Sequence, residues 1–503
     1  MIVRKIFAAL LLLSVAFLTS CSGLPKKSTC TSNCGGTATM SMTMRATPPP
    51  PPPNTNLLSF VVDVNTVTLT SSNGTTFNIP LNATSLSVDL TKLQSDSILL
   101  GTSAAVPADT YASITVSLSN PVVTFCTQTQ GNTGCAPGSV ATISGGAAAT
   151  PAFSSKPFPL TVTANQKTAL AINLNISNTL TVNSQVISAV NLAAANVLSA
   201  STLPSSSTSL NVSQLDFVED VTGIVTAVNA ATQSVTVKTA ARGSLTAIAN
   251  SSTVFSPNCT SFSRNISFAS CVVQGDVASL DMVLNSDGTL ALLEYDPLNT
   301  ASGDWIEGVI TASPSSSTQF SLVTNDAVFA TSGSLIGGKL VFGAVLNATL
   351  SSLTTLNPFL IDSKGLVIPV NNFANSTDAT VFVPGQTVSL RVTAFTAASG
   401  STPASATVDT VYLRFTRVSG TVAASGTQSS FAIQNLPTFF GPTTQQLVQI
   451  TLGSPPSVPS TNFEGVASAT GLSNPQTVSI RALYFGQNTG ILMPFTAAKV
   501  RVP

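Results

Sequence analysis

The sequence predicts an all-β protein, an N-terminal β-sandwich followed by three small barrel-like β-domains. Three observations predict this. Short β-branched runs alternate apolar and polar residues, the pattern of half-buried strands. Turn residues interrupt these runs at short intervals, as in sandwiches. In the C-terminal part of the chain, a glycine-opened β-branched segment returns three times.

At the N-terminus, Arg4 and Lys5 precede an apolar stretch from Ile6 to Phe17. It is too short for a bilayer span of ~20 residues and reads as the core of an export signal. Leu18-Thr19-Ser20-Cys21 follows. This ending resembles the lipobox of bacterial lipoprotein signals. The resemblance implies a signal peptide over residues 1–20, cleavage before Cys21 and acylation of that cysteine. Two or more acyl chains hold a protein stably on a membrane. Ser22 implies, by the same resemblance, an outer-membrane destination. Residues 21–56 then read as the lipidated cysteine and a tether, which includes the six prolines Pro48 to Pro53. Such a run forms an extended polyproline II rod.

With Cys21 acylated, six cysteines remain in three local pairs: Cys30/Cys34, Cys126/Cys135 and Cys259/Cys271. In an exported protein, disulfides within each pair would staple short loops. A zinc site would need four converging ligands, which these separated pairs do not offer.

The sandwich is expected over 57–211. Leu57 to Val64 and Val67 to Thr70 read as strands, and Asn73-Gly74 reads as a two-residue type I′ hairpin returning through Thr76 to Ile79. Tyr111 to Leu118 and Ala169 to Ile176 alternate cleanly, whereas alanine-rich Ile187 to Leu198 carries the one helical pattern. The three small domains are expected over 212–298, 299–415 and 416–503, the middle one with an insertion. They open at Thr222-Gly223-Ile224-Val225, Glu307-Gly308-Val309-Ile310 and Ser419-Gly420-Thr421-Val422. Each opening leads to an alternating strand at Ser234, Gln319 or Ser430. A second echo follows at Asp276 to Leu280, Thr387 to Leu390 and Thr477 to Ile480. The unequal spacing excludes a solenoid, which keeps a fixed period.

Two further resemblances rest on these residues. Val88-Asp89-Leu90 with Leu93, then Val106 to Tyr111 running into Ile114 to Val116, is similar to an uncharacterised lipoprotein domain of many bacteria. Asp109 stands where that family usually has glycine. The glycine-opened units resemble a second uncharacterised exported β-domain, which implies small barrels of the OB type. Neither family carries an established activity.

Composition bounds the chemistry. Charged residues are 8% of the chain, with Lys+Arg and Asp+Glu both 19, against roughly 25% charged in average proteins. Such a chain lacks the basic field that nucleic-acid binding needs. There is no histidine, which removes Ser-His-Asp and Cys-His catalysis and the usual general base near neutral pH. Gly333 to Lys339 matches the start of a phosphate loop, but Leu340 stands where Ser or Thr should ligate magnesium, so a glycine-rich turn is expected. Asp216, Glu219 and Asp220 offer oxygen ligands for calcium, yet fit no EF-hand spacing and read as a solvated acidic linker. Asp287-Gly288 reads as a hairpin turn. Trp305, between Asp304 and Glu307, is a sugar-platform candidate whose default role is core packing. The small aromatic content argues against a transmembrane β-barrel with aromatic girdles.

The functional expectation is a lipid-anchored cell-envelope protein with a non-enzymatic binding or structural role. No catalytic residue, metal or cofactor is assigned. The expected partners are the membrane, through the lipid, and an envelope protein or polysaccharide. The alternative is a carbohydrate-active or other hydrolase using paired carboxylates, whose partners would meet only in the fold.

Overall fold

The computed structural model describes residues 35–49, 56–129, 134–183, 186–204, 210–300, 303–351, 359–374, 376, 378–440, 445–486 and 493–503. The signal peptide, Cys21, Cys30, Cys34 and most of the proline run lie outside the described residues. Strands make up 54% of the chain and helices 5%, so the cores are built mainly by strands.

The expected tether is corrected at residues 37–47. Thr37–Thr47 is a strand in the interior of a four-stranded sheet, parallel to Lys167–Asn175 and antiparallel to Ile98–Pro107. Leu198–Thr202 completes this sheet beyond Lys167–Asn175. The cause is legible in the side chains. Met40, Met42 and Met44 fall two residues apart and are fully buried, so an otherwise small and polar segment has one apolar face. In the second sheet Asn56–Ser71 pairs along nearly its whole length with Asp109–Cys126. Thr76–Ile79 and Leu86–Asp89 flank it, and Val140–Ser144 pairs with the far strand. Met42, Phe60, Val116 and Ile172 join the two sheets in one core.

Two local expectations are also corrected. The Asn73-Gly74 turn is wider than a two-residue hairpin, since Thr70 lies opposite Thr76. Gly74 takes a positive φ of 87° while the Asn73 side chain accepts a hydrogen bond from the Thr75 amide. The Ile187 to Leu198 helix is absent. Val186–Val190 is a strand paired with Leu180–Asn183, and the Asn191 side chain then caps a turn at Ala193. Asn191 breaks the alanine-rich run by holding the backbone in a non-helical bend.

Three units follow, with one shared strand order. Their first strands are Gln214–Asn229, Trp305–Ile310 and Thr416–Ala424. Each pairs on one side with a second strand and on the other with a fourth. The third strand pairs with the second, and the fifth with the fourth. A parallel contact between third and fifth closes the ring. It runs over five residue pairs in the second unit, three in the third and two in the first. In every unit a short extra strand, Val254–Phe255, Leu360–Ile361 or Asn462–Glu464, also lies parallel to the fifth.

The opening glycines explain the sequence echo. A Cβ on Gly223, Gly308 or Gly420 would lie 2.3, 2.4 or 2.5 Å from the carbonyl oxygen of Lys238, Val323 or Gln434 on the adjoining second strand. Only glycine lets the two backbones approach so closely in a tightly coiled small barrel. Two residues further on, Val225, Ile310 and Val422 donate to the carbonyls of Asp276, Gln386 and Gln476 at 2.9, 2.8 and 2.8 Å. The two echoes are thus hydrogen-bonded to each other in every unit. Gly308→Ala is expected to lower stability by about 1–3 kcal/mol, the usual cost of overpacking. A denaturant midpoint unchanged from wild type would contradict this account of the glycine.

Candidate functional site

Strand alternation sends one face of each small barrel into its own core and the other outward. On the fourth and fifth strands the outward positions of the first and third units carry opposite charge. Asp281 and Glu294 face each other across the strand pair of the first unit. At the corresponding positions of the third unit stand Arg481 and Lys499. Likewise Asp296 lies opposite Ser279, where the third unit has Arg501 opposite Ser479. An acidic face and a basic face of the same geometry therefore meet.

The contacts are specific. Arg481 donates from both terminal nitrogens to Asp281, at 2.9 and 2.8 Å. Lys499 lies 2.6 Å from Glu219 and 3.1 Å from Glu464. The second unit contributes Arg414, paired with Asp220 at 2.7 Å, Glu307 at 3.1 Å and Asp362. It also contributes Lys364, 3.0 Å from Asp281. The sandwich enters the same layer. Arg45 reaches Asp216 and Glu464, each at 2.5 Å, Lys92 reaches Glu307 at 2.5 Å, and Asp96 meets Arg417 at 2.7 Å.

Fourteen of the nineteen Asp and Glu residues are buried, which concentrates most of the negative charge at the junction of the four modules. Burial alone would push the Asp281 carboxyl up, but Arg481 and Lys364 hold it well below the usual carboxylate range. Asp220 is likewise held well below it against burial, by Arg417 and Arg414.

The candidate residues from the sequence fall as follows. Asp216, Glu219 and Asp220 are not a solvated linker. They are buried within the ionic layer, because the first strand of the first unit packs its outward side against its neighbours. Among the described residues no group of three or more acidic or cysteine side chains is arranged to hold a metal. Trp305 is 1% exposed and packs its ring 5.9 Å from that of Tyr412. Its neighbour Glu307 joins the layer, while Asp304 accepts from the Ala330 amide and the Ser334 hydroxyl. Asp304 thereby pins the Gly333 to Lys339 segment, a turn with Lys339 exposed. Asp287 caps the turn at Thr289. Cys126 bonds Cys135 and Cys259 bonds Cys271, each pair with Cα atoms 5.4 Å apart.

A chamber of about 60 Å³ lies between the sandwich and the second and third units, with Leu57, Leu58, Gln94, Thr416 and Arg417 in its wall. That is room for a few waters. An open recess of about 590 Å³ lies between Thr47, Asn175, Gln476 and Val502. No Asp or Glu lines either one. Chemically, the ionic layer is an intramolecular clamp, with its charged groups turned toward one another.

With this geometry in view, residues 37–191 match the family model described as Domain of unknown function (DUF4382). The match begins where the strand Thr37–Thr47 begins, and the sandwich's contribution to the layer, Arg45, Lys92 and Asp96, falls inside it. No curated protein and no solved structure matches the chain.

Sequence reasoning missed Arg45, Lys92, Arg414, Arg481 and Lys499. The available signal was charge at outward positions of strands in a chain that is otherwise nearly uncharged. Arg481→Met, which takes the bidentate partner from buried Asp281 and leaves it Lys364 alone, is expected to cost about 3–5 kcal/mol, read as a fall in chemical stability. Acid should act through the depressed carboxylates. Their contribution is complete above the unfolded carboxylate pKa of about 4 and is lost as pH falls from there through the folded values. A melting temperature that is flat from about pH 5 to about pH 2 would contradict that linkage.

Proposed function

We propose that this protein is a lipid-anchored component of a bacterial cell envelope, with a non-enzymatic binding or structural role. The observation that carries the non-enzymatic reading is the use made of the carboxylates. Most of those that converge are paired with Arg or Lys inside the layer, and no acidic group lines the 60 Å³ chamber or the 590 Å³ recess. The cavity that Asp96, Glu219, Asp220 and Asp326 do line has only about 20 Å³, room for about one water. Paired-carboxylate hydrolysis needs two such groups facing a substrate across a cleft.

The anchor reading rests on Leu18 to Cys21 behind a short apolar core. Two disulfides fit an oxidising compartment. Among the described residues no helix is long and apolar enough to cross a membrane, which is compatible with attachment through acyl chains. The closed rings, in the order first, second, third, fifth, fourth, fit the OB-type reading of the three units. Recognition by such modules belongs to their exposed loops, with an envelope protein or polysaccharide as the partner.

Metabolic labelling with a fatty-acid analogue tests the anchor in the producing bacterium. Wild type should incorporate label and enter the membrane fraction, whereas Cys21→Ala should do neither. Equal labelling of both would remove Cys21 as the attachment point and, with it, this account of localisation.

A further inference from the structure

The acidic face of the first unit holds two carboxyl groups that the clamp leaves without a cation. Glu294 and Asp296 are two residues apart on the strand Leu290–Asn299, so both point to the same side. They are 8% and 0% exposed, and neither forms an ion pair among the described residues. Oε1 of Glu294 and Oδ2 of Asp296 have no hydrogen-bond partner. The other oxygen of Asp296 accepts from the Asn258 amide at 2.9 Å, and the Ser256 hydroxyl faces the same carboxyl and opposes its upward shift.

Every charged group facing the pair is committed elsewhere. Glu294 is met by Asp281, directly opposite in register, and by Lys364 and Arg481. Both of those cations are bound to Asp281. Asp296 is met by Lys364, by Arg414 and by the Tyr412 phenol. Arg414 is shared among Asp220, Glu307 and Asp362, and the Tyr412 hydroxyl donates to the Leu298 carbonyl. Leaving two unpaired anions beside Asp281 in a dry interior is more costly than protonating them.

We propose that Glu294 and Asp296 hold protons at neutral pH and make the joint between the first unit and its neighbours a proton-dependent lock that loosens as the pH rises. This goes beyond the envelope role and does not depend on the anchor. Burial, opposed by Lys364, pushes Glu294 well above the usual range, and burial pushes Asp296 up as well. The sign is opposite to that of the clamped Asp220 and Asp281. A raised folded pKa gives stability that is complete below the unfolded value and lost as pH rises through the folded one. Buried glutamates titrate as high as about pH 8–9, which sets the window to be searched.

The full-length protein tests this with Glu294→Gln, Asp296→Asn and the double variant. An infrared band of protonated carboxyl should be present in wild type at neutral pH and missing from the double variant. Amide exchange in Val277–Asn285, corrected for its intrinsic pH dependence, should accelerate in wild type between about pH 6 and about pH 9, by up to about tenfold per pH unit for each group. The double variant should show a flat profile over that range, and each single variant a slope between that and wild type. An amide keeps the donor of a protonated acid without its charge, so each single variant should fold at least as stably as wild type. Failure of both to fold, an unchanged infrared band, or exchange profiles indistinguishable from wild type would each overturn the proposal.

Discussion

The constraint on which the structure depends is that several small barrels packed side by side must bury faces that would otherwise be in water. A barrel's apolar residues are spent on its own core, since alternate positions on each strand point inward. What remains outward is polar, and packing three barrels and a sandwich together desolvates it. Burying an isolated charge is prohibitive, whereas burying a hydrogen-bonded pair is tolerated. The protein meets this requirement with opposite charges at corresponding positions, Asp281 and Glu294 in the first unit against Arg481 and Lys499 in the third.

Such a layer contributes less to net stability than its short distances suggest, because desolvation offsets most of the Coulomb gain. Its larger effect is on arrangement. An acidic barrel beside another acidic barrel would strand several carboxylates, so the order of modules is constrained by charge. Lys92 and Arg45 extend the rule to the sandwich, the region similar to DUF4382, which meets the second unit at Glu307 and the first and third at Asp216 and Glu464. In that domain Asp89 accepts from the Ser59 hydroxyl and from the Phe60 and Thr91 amides. The motif residue thus orders the turn that delivers Lys92 into the layer.

The β architecture was legible because its causes are local. Gly223, Gly308 and Gly420 recur since each barrel needs one close backbone approach, and that need leaves a mark at fixed places in the sequence. Thr37–Thr47 was equally legible in its alternating methionines, but small polar residues and the neighbouring prolines gave it the look of a tether. The ionic layer was not legible, for a different reason. Arg45 and Asp216 are 171 residues apart, and Asp281 and Arg481 are 200 apart. No spacing rule connects such partners. The low charge content pointed correctly to a nearly neutral exterior, but not to an interior that holds most of the carboxylates.

The missing histidine takes on a second meaning in this setting. A layer built only from Arg, Lys, Asp and Glu contains no side chain whose ordinary pKa lies near neutrality. Pairing drives Asp220 and Asp281 further from that range, whereas at Glu219 burial outweighs Lys499 and Arg481 and pushes the carboxyl up. Salt has little access to such pairs, because screening acts mainly on charges in contact with solvent. The junction is therefore fixed against modest changes in both ionic strength and pH wherever pairing outweighs burial, as at Asp220 and Asp281. Sensitivity near neutral pH falls to the carboxyl groups that have none, and among the described acidic residues burial without an ion pair combines with an upward shift at Glu294 and Asp296.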